Sequence, residues 1–177
     1  WRREERREIS MNSNEPTNLV IRSAQVSTAA QVFLGLYSLI GFIKVSDEKS
    51  DLLWVLLVLD LVVQFVELMF YIVFIFVNQL DVFYRYFDWF LTTPIMLVST
   101  MMFLEYLHDR RLTVGDFASR YSNEVIFVIL MNSVMLAFGF CAELLWIPPW
   151  IALPLGWIPF LLVFILIYGV HGFKTSG

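Results

Sequence analysis

Long apolar segments separated by short polar connections dominate the chain. A helix needs about 20 mostly apolar residues to cross the hydrocarbon core of a bilayer. Five segments meet this requirement, and we label them A to E: residues 23–45, 52–77, 82–107, 124–146 and 150–170. In lipid, only helices or closed barrels satisfy the backbone polar groups, and these segments are too long and too uniformly apolar for barrel strands. The pattern predicts an all-α integral membrane protein with one transmembrane bundle over residues 21–177.

The first 20 residues form a separate N-terminal tail. Residues 1–8 are strongly charged, and no short apolar stretch with a cleavage site follows them, so the tail is not a signal peptide. Two interpretations of residues 1–10 have equal weight. They are either foreign to a natural protein that starts at Met11, or a short amphipathic helix on the membrane surface.

The distribution of positive charges predicts the orientation in the membrane. The A–B and C–D connections and the stretch after segment E carry lysines and arginines, whereas the B–C and D–E connections carry none. These residues are Lys44, Lys49, Arg110, Arg111, Arg120 and Lys174. The alternation predicts that the N-terminus lies outside the cell, although the arginine-rich tail argues for the opposite orientation.

Composition and charge narrow the choice of function. The 177 residues are 59% hydrophobic and 16% charged, and the net charge is −4. No basic stripe is present, so we expect no nucleic-acid partner. The single cysteine, Cys141, excludes an internal disulfide and a cysteine metal site. His108 and His171 lie far apart at segment ends, so we expect no metal site, and we expect no enzyme.

Segment C carries the densest set of polar groups at bilayer depth, where such groups are costly and mark function by default. Spacings of three or four residues place one set on a single helical face: Arg85, Asp88, Thr92, Met96 and Ser99. The pattern predicts an Arg85–Asp88 ion pair near the outer end and a bend at Pro94. The alternative is a purely structural ion pair, with the hydroxyls bonded to their own backbone.

Segment B carries a second polar stripe, formed by Asp60, Gln64, Glu67 and Tyr71. Its two carboxyl groups lie about 10 Å apart along the helix axis. Exposure of this face to lipid would be prohibitive, so we expect it to point inward, where its groups could relay protons. The alternative for Asp60 is a protonated packing residue.

Segments D and E offer weaker signals. Met135, Gly139 and Glu143 share a face of segment D, and the glycine would allow close approach of a helix or a flat ligand. Simple helix packing is the more frequent cause, and solvation near the outer end would explain Glu143. Trp157 and Phe160 suit the lining of a pocket, but they suit an ordinary bundle core equally well.

The run RYFDWFLTTP, from Arg85 to Pro94, resembles the helix C signature of microbial (type 1) rhodopsins. Residues 135–140 (MLAFGF) resemble helix D of the proteorhodopsin-like branch, and residues 168–173 (YGVHGF) resemble the exit of helix E. The resemblance covers the chain from about residue 20 to its end. It implies helices A–E of a seven-helix bundle that binds all-trans retinal.

The resemblance also implies roles for single residues. Asp88 matches the counterion and proton acceptor of the protonated retinal Schiff base, Arg85 the gate for proton release, and Thr92 the hydroxyl that bonds the counterion. Ser99 falls where archaeal pumps carry a carboxylic proton donor, so the diagnostic positions read Asp, Thr, Ser, as in the DTS-motif rhodopsins of giant viruses. The residues expected in the retinal pocket are Tyr86, Trp89, Thr93, Met96, Met135, Gly139 and Trp157.

Two positions bear on the photochemistry. The apolar residue Met96 implies green rather than blue absorption. Ser99 cannot store a proton at physiological pH. We hypothesise that Asp60, at a similar depth on the neighbouring helix, takes part in reprotonation, with Gln64 and Glu67 as further relay groups.

The sequence departs from the family in one major respect. The family binds retinal through a lysine in the middle of its seventh helix, whereas Lys44, Lys49 and Lys174 are the only lysines here and lie at membrane edges. We therefore expect helices F and G to be absent from this chain, and covalent attachment of retinal to require a lysine that it lacks.

The leading functional hypothesis is a light-driven outward proton pump, supported by the carboxylate of Asp88. A light-gated cation channel is the first alternative, supported by the carboxyl groups of segment B. A slow photosensor and a five-helix membrane protein without pigment are further alternatives. The expected partners are the lipid bilayer, retinal and further copies of the chain, as a trimer or pentamer.

Overall fold

The structure is a computed structural model and describes residues 2–45, 51–77 and 82–173. Within these ranges the chain forms five α-helices and a short π-helical segment, with no β-strand. The elements are α1 (Arg2–Val45), α2 (Asp51–Val77), α3 (Val82–His108), α4 (Val114–Glu143), α5 (Pro149–Leu166) and the π-helical segment (Ile167–Gly172). The all-α fold predicted from the apolar segments A to E is confirmed.

Each α-helix contributes a stretch that is long and apolar enough to cross a membrane. In the described ranges there are five: Gln25–Lys44, Asp51–Val73, Val82–His108, Val114–Glu143 and Pro149–Gly172. Large apolar side chains cover the outside of the bundle; Phe33, Phe65 and Trp150 are 70%, 63% and 74% exposed. Such a surface suits lipid rather than water. The chain is therefore an integral, multi-pass membrane protein.

The helices pack against one another in chain order, so α2 and α3 each lie between their sequence neighbours. The main hydrophobic core lies where α2 begins, α3 ends and α4 begins. Its buried members include Leu52, Met101, Phe117, Val128 and Ile167. The bundle is therefore most tightly closed at the end near the C-terminus of α3.

Two helix boundaries differ from the segments read from hydrophobicity. Helix α1 runs from Arg2, and α4 starts at Val114, well before the apolar stretch that begins at Glu124. The early start of α4 has a local cause, because the Thr113 side chain accepts a hydrogen bond from the Asp116 backbone N–H and caps the helix. Helix formation depends on backbone hydrogen bonds rather than on apolar side chains. A polar first turn can therefore be helical although the hydrophobicity pattern does not predict it.

Three backbone features position side chains at the ends of the bundle. Tyr121 has non-helical dihedral angles (φ −116°, ψ 16°) and marks a kink in α4. Leu145 adopts a left-handed φ of 58° where the chain leaves α4 for α5. The π-helical turn at the end of α5 places His171 on its buried side, and such turns occur frequently at functional sites.

Candidate functional site

Arg85 forms an ion pair with Glu143 across the α3–α4 interface. Its guanidinium also lies over the rings of Tyr86 and Trp89, 5.8 and 5.7 Å from their centroids, and such cation–π contacts favour a fixed position for the charge. The predicted Arg85–Asp88 ion pair is wrong. The partner comes from the neighbouring helix, and spacing along α3 alone could not reveal it.

Tyr86 fills the space that Gly139 leaves between α3 and α4. A Cβ atom built on Gly139 would lie 2.8 Å from the Tyr86 hydroxyl oxygen. The Tyr86 ring is buried and packs edge-on against Trp89 and Phe140, with 5.3 Å between centroids in each case. Its hydroxyl lies close enough to Glu143 to interact with it. In this structure the glycine therefore admits a tyrosine from the neighbouring helix.

Asp88 has an unsatisfied oxygen in the interior of the bundle. Its Oδ1 atom is buried and has no hydrogen-bond partner among residues 2–45, 51–77 and 82–173. Glu67 of α2 lies near enough to interact with it electrostatically. Buried polar atoms in native proteins nearly always have a partner, so a group that would complete the bonding of Asp88 is expected at this point.

The hydroxyl groups of the α3 stripe bond to the backbone of their own helix. Thr92 donates to the main-chain carbonyl oxygen of Asp88 at 3.0 Å, and Ser99 donates to that of Ile95 at 2.7 Å. The resemblance implies a hydrogen bond from Thr92 to the Asp88 carboxylate, but here the hydroxyl bonds to the carbonyl instead. This is the backbone-bonded arrangement given above as the alternative for these hydroxyls.

Thr93 links α3 to α4. It donates to the Trp89 carbonyl oxygen at 2.6 Å and accepts a hydrogen bond from the buried Asn132 amide at 2.8 Å. Together with the Tyr86–Gly139 contact, this bond brings four of the expected pocket residues to the same α3–α4 interface. Those four residues are Tyr86, Trp89, Thr93 and Gly139.

The other expected pocket residues are dispersed. Met96 and Trp157 are 50% and 56% exposed, and the ring contact of Trp157 is with Phe160 of its own helix. Met135 is half-buried on α4, where its carbonyl oxygen lies beside Gly156 of α5. The described residues thus form one wall of a pocket rather than an enclosed one.

The polar stripe of α2 meets partners on α1. Gln31 donates a hydrogen bond to Glu67, and Ser38 donates to Asp60 at 2.5 Å. Gln64 lies between the two carboxyl groups in sequence, and its buried Oε1 has no hydrogen-bond partner among the described residues. The inward orientation expected for this stripe therefore corresponds to an α1–α2 interface.

Sequence reasoning missed Gln31 and Ser38, although a signal was present. The two residues are separated by seven positions, as are Asp60 and Glu67. In an antiparallel helix pair, equal separations allow both pairs to meet in register. Comparison of the spacings in neighbouring segments could have found both contacts.

A second polar cluster, also missed, lies near the C-terminal end of α3. His171 Nδ1 lies 2.5 Å from Glu105 Oε1, and the Tyr121 hydroxyl donates to Glu105 Oε2 at 2.7 Å. The side chains of His171 and Glu105 are only 0% and 4% exposed. Both residues lie near the ends of their segments, and the kink in α4 and the π-helical turn bring them together with Tyr121. We call this group the Glu105–Tyr121–His171 cluster.

The side chains of α3 suit non-covalent contacts with a bound retinal. The unsatisfied Asp88 oxygen suits a cationic N–H group, and the exposed Trp89 and Met96 side chains offer an apolar wall beside it. Covalent attachment needs an intramembrane amine. The described ranges contain one lysine, Lys44, which lies in the last turn of α1.

Comparison with known proteins gives one family. A family model described as "Bacteriorhodopsin-like protein" matches residues 19–175, whereas the curated proteins contain no match to this chain. The matched range takes in the membrane-spanning part of α1, all of α2 to α5 and the π-helical segment. The chain belongs to the family of bacteriorhodopsin-like proteins.

Proposed function

We propose that the full-length protein is a light-driven outward proton pump in which Asp88 is the counterion and proton acceptor of bound retinal. The observation that carries the proposal is the buried Asp88 Oδ1 atom, which has no partner among the described residues. A buried carboxylate oxygen without a partner is costly, and a facing cation removes that cost. Retinal bound through a lysine would supply such a cation, and illumination would change its position.

Family membership supports the broader part of this proposal. It supports a retinal-binding photoreceptor or ion-transport protein in the membrane. The direction of transport and the identity of the ion are the proposed parts. An N-terminus outside the cell, as the loop charges predict, would place Arg85 toward the outer surface.

Different residues along α3 carry different steps of the proposed proton transport. Asp88 takes the proton, and Arg85, held by Glu143 and the Tyr86 and Trp89 rings, controls its release at the outer end. We propose that Asp60 assists in returning a proton, because the Ser99 hydroxyl cannot store one. Unchanged recovery of the pigment after a flash in Asp60→Asn would contradict that role.

The test uses cells that express the full-length protein with added retinal in an unbuffered suspension. We expect illumination to acidify the medium without any imposed gradient, and the signal to vanish in Asp88→Asn because the amide cannot accept the proton. Asp109→Asn, an exposed aspartate beyond the end of α3, is the matched control and should still pump. Light without acidification in cells that contain a visible pigment would refute the proposal.

A light-gated cation channel is the second candidate, and the α1–α2 contacts favour it. Gln31–Glu67, Ser38–Asp60 and the unsatisfied Gln64 form a polar seam between two otherwise apolar helices. A seam of carboxyl and amide groups at bilayer depth suits a hydrated path for cations. A channel passes current only down a gradient, so a light-induced current that reverses with the gradient and weakens in Glu67→Gln would favour it over a pump. A slow photosensor, the third candidate, would show neither transport signal.

Three finer assignments complete the proposal. We propose that the protein is a viral DTS-motif member of the proteorhodopsin-like branch, on the basis of Asp88, Thr92 and Ser99, and that Met96 gives it green absorption. The exposed apolar faces suit assembly into trimers or pentamers. An absorption spectrum of the pigment tests the green absorption, and the mass of the solubilised complex tests the oligomeric state.

A further inference from the structure

The Glu105–Tyr121–His171 cluster combines three helical elements at one end of the bundle. Glu105 lies three residues before the end of α3, Tyr121 is at the kink of α4, and His171 is in the π-helical segment. Arg85 lies twenty residues earlier on α3, a rise of about 30 Å. That distance matches the hydrocarbon thickness of a bilayer, so the cluster and the Arg85–Glu143 pair mark opposite ends of the membrane path.

The hydrogen bonds of the cluster define where its protons lie. One proton is held between His171 Nδ1 and Glu105 Oε1, whose separation is 2.5 Å, and the Tyr121 hydroxyl donates to Glu105 Oε2 at 2.7 Å. With a second proton on His171 Nε2 the imidazole–carboxyl pair is neutral. Loss of that second proton leaves a carboxylate that accepts two hydrogen bonds, an arrangement that stabilises the charged state.

His171 Nε2 is the ring nitrogen of the cluster that does not face Glu105. It is buried and has no hydrogen-bond partner among the described residues, although His171 itself is only 1% exposed. The two ring nitrogens lie on different edges of the imidazole, so a proton bound at one can leave as another arrives at the other. A buried nitrogen that is not engaged by the chain is therefore available to a water molecule or an acceptor group.

The surroundings of the cluster exclude bulk water. Phe117 and Ile167 are 3% and 1% exposed and belong to the main hydrophobic core at this end of the bundle. The Tyr121 ring packs edge-on against His171 with 5.2 Å between centroids. A proton on this cluster is therefore held inside the protein rather than exchanged freely with solvent, which distinguishes a store from a surface ion pair.

We propose that the Glu105–Tyr121–His171 cluster stores one transferable proton on His171 Nε2 and supplies it to the interior of the protein. Delivery to the pigment rests on the proposed function; storage does not. The proton leaves Nε2, the proton shared with Glu105 stays on Nδ1, and a proton from the adjacent aqueous phase later restores the neutral pair.

The position of the cluster relative to other polar groups suits this role. Ser99 lies six residues before Glu105 on α3, a rise of about 9 Å. Asp60 lies nine residues inside α2 from its start at the same end of the bundle, a depth of about 14 Å. The cluster is thus nearer the aqueous phase than either group and would supply protons toward them.

The first test measures storage in the full-length protein before retinal is added. With ¹⁵N-labelled histidine, His108→Gln leaves His171 as the single ring to be observed, since the sequence has two histidines. We expect the ¹⁵N shifts of both ring nitrogens to be those of protonated nitrogens, because the stored proton is on Nε2. We also expect a strongly downfield Nδ1 proton resonance, because its acceptor is a carboxyl group. The resonance should move upfield in Glu105→Gln, whose amide is a weaker acceptor, and persist in Tyr121→Phe. An Nε2 shift typical of an unprotonated nitrogen, or absence of the downfield resonance, would overturn the proposal.

The second test measures delivery by recovery of the pigment absorbance after a flash. We expect recovery to slow by about 100-fold in Glu105→Gln and in His171→Asn, the lower end of the contribution of a positioned proton donor. Asparagine keeps a hydrogen-bond donor toward Glu105 but removes Nε2. Added azide, whose conjugate acid carries protons into the interior, should restore the rate in both variants. The exposed His108→Gln should recover at the wild-type rate.

The outcomes separate the store from the pump. Unchanged recovery in Glu105→Gln and His171→Asn would overturn delivery even if the protein pumps. Slow recovery that azide does not correct would indicate structural damage and would also overturn it. If the wild type forms no pigment or does not pump, the proposed function fails, and the His171 ring-nitrogen and ring-proton resonances alone then support or overturn the store.

Discussion

The contact between Gly139 and Tyr86 allows a quantitative test of the α3–α4 interface. In Gly139→Ala the new Cβ would lie 2.8 Å from the Tyr86 hydroxyl oxygen and 3.4 and 3.5 Å from two ring carbons. The ring cannot retreat easily, because Trp89 and Phe140 pack against it. Either the helices separate or the ring is displaced.

The expected magnitude follows from two opposing effects. Overpacking a well-filled site lowers the free energy of unfolding by about 1–3 kcal/mol. Because Tyr86 is confined, we expect a loss near the upper end of this range. The better helix propensity of alanine offsets about 1 kcal/mol. We therefore expect Gly139→Ala to lower the free energy of unfolding by about 2 kcal/mol.

The assay is reversible unfolding in mixed micelles with increasing SDS, followed by helical circular dichroism. Gly156→Ala is the matched control, because its Cβ would meet Met135 and Phe138 atoms at an ordinary 3.8 Å, and it should be neutral or stabilising by up to about 1 kcal/mol. In a Tyr86→Phe background the 2.8 Å contact disappears, so the penalty of Gly139→Ala should fall by more than half. Equal stabilities of the two alanine variants, or an undiminished penalty, would refute the packing explanation.

Two further predictions use the same unfolding assay. Asn132→Leu and Thr93→Val should show a coupling energy of about 0.6 kcal/mol in a double-mutant cycle, the average for interhelical hydrogen bonds in membranes; additive effects would mean that the bond does not contribute. Leu145→Gly should stabilise the protein by about 1 kcal/mol, because it removes the left-handed strain at φ 58°. Leu145 is 79% exposed, so little burial is lost, and Leu145→Ala, which keeps the strain, should bring no such gain.

The two ends of the bundle differ in a way that bears on transport. Near the start of α3 the Arg85–Glu143 pair is about one-third exposed, whereas the Glu105–His171 pair near its end is almost completely buried. The first site is therefore accessible to water, whereas the second is shielded from it. This asymmetry supports the proposed proton path, in which protons leave easily at one end and are supplied in a controlled way at the other.

Much of the polar stripe on α3 could be predicted because helical periodicity is a local property. Asp88, Thr92 and Ser99 recur at helical spacing, and the run around them suggested the family that the comparison shows. What each group bonds was not predictable in the same way. Arg85 pairs with Glu143, fifty-eight positions away, and the Thr92 hydroxyl bonds to a carbonyl of its own helix.

The amino-acid sequence alone predicted that this protein lies in a membrane and that its apolar segments are helices. Both predictions depend on the length of the continuous apolar segments, and on the need of backbone polar groups in lipid to bond to one another. Only the tertiary structure decided which polar side chains of different helices contact each other. Gln31 with Glu67, Ser38 with Asp60, and Glu105 with Tyr121 and His171 depend on which faces of separate helices meet. A kink at Tyr121 and a π-helical turn at His171 set the last of these contacts, and both rotate side chains away from the positions that regular helices would give them.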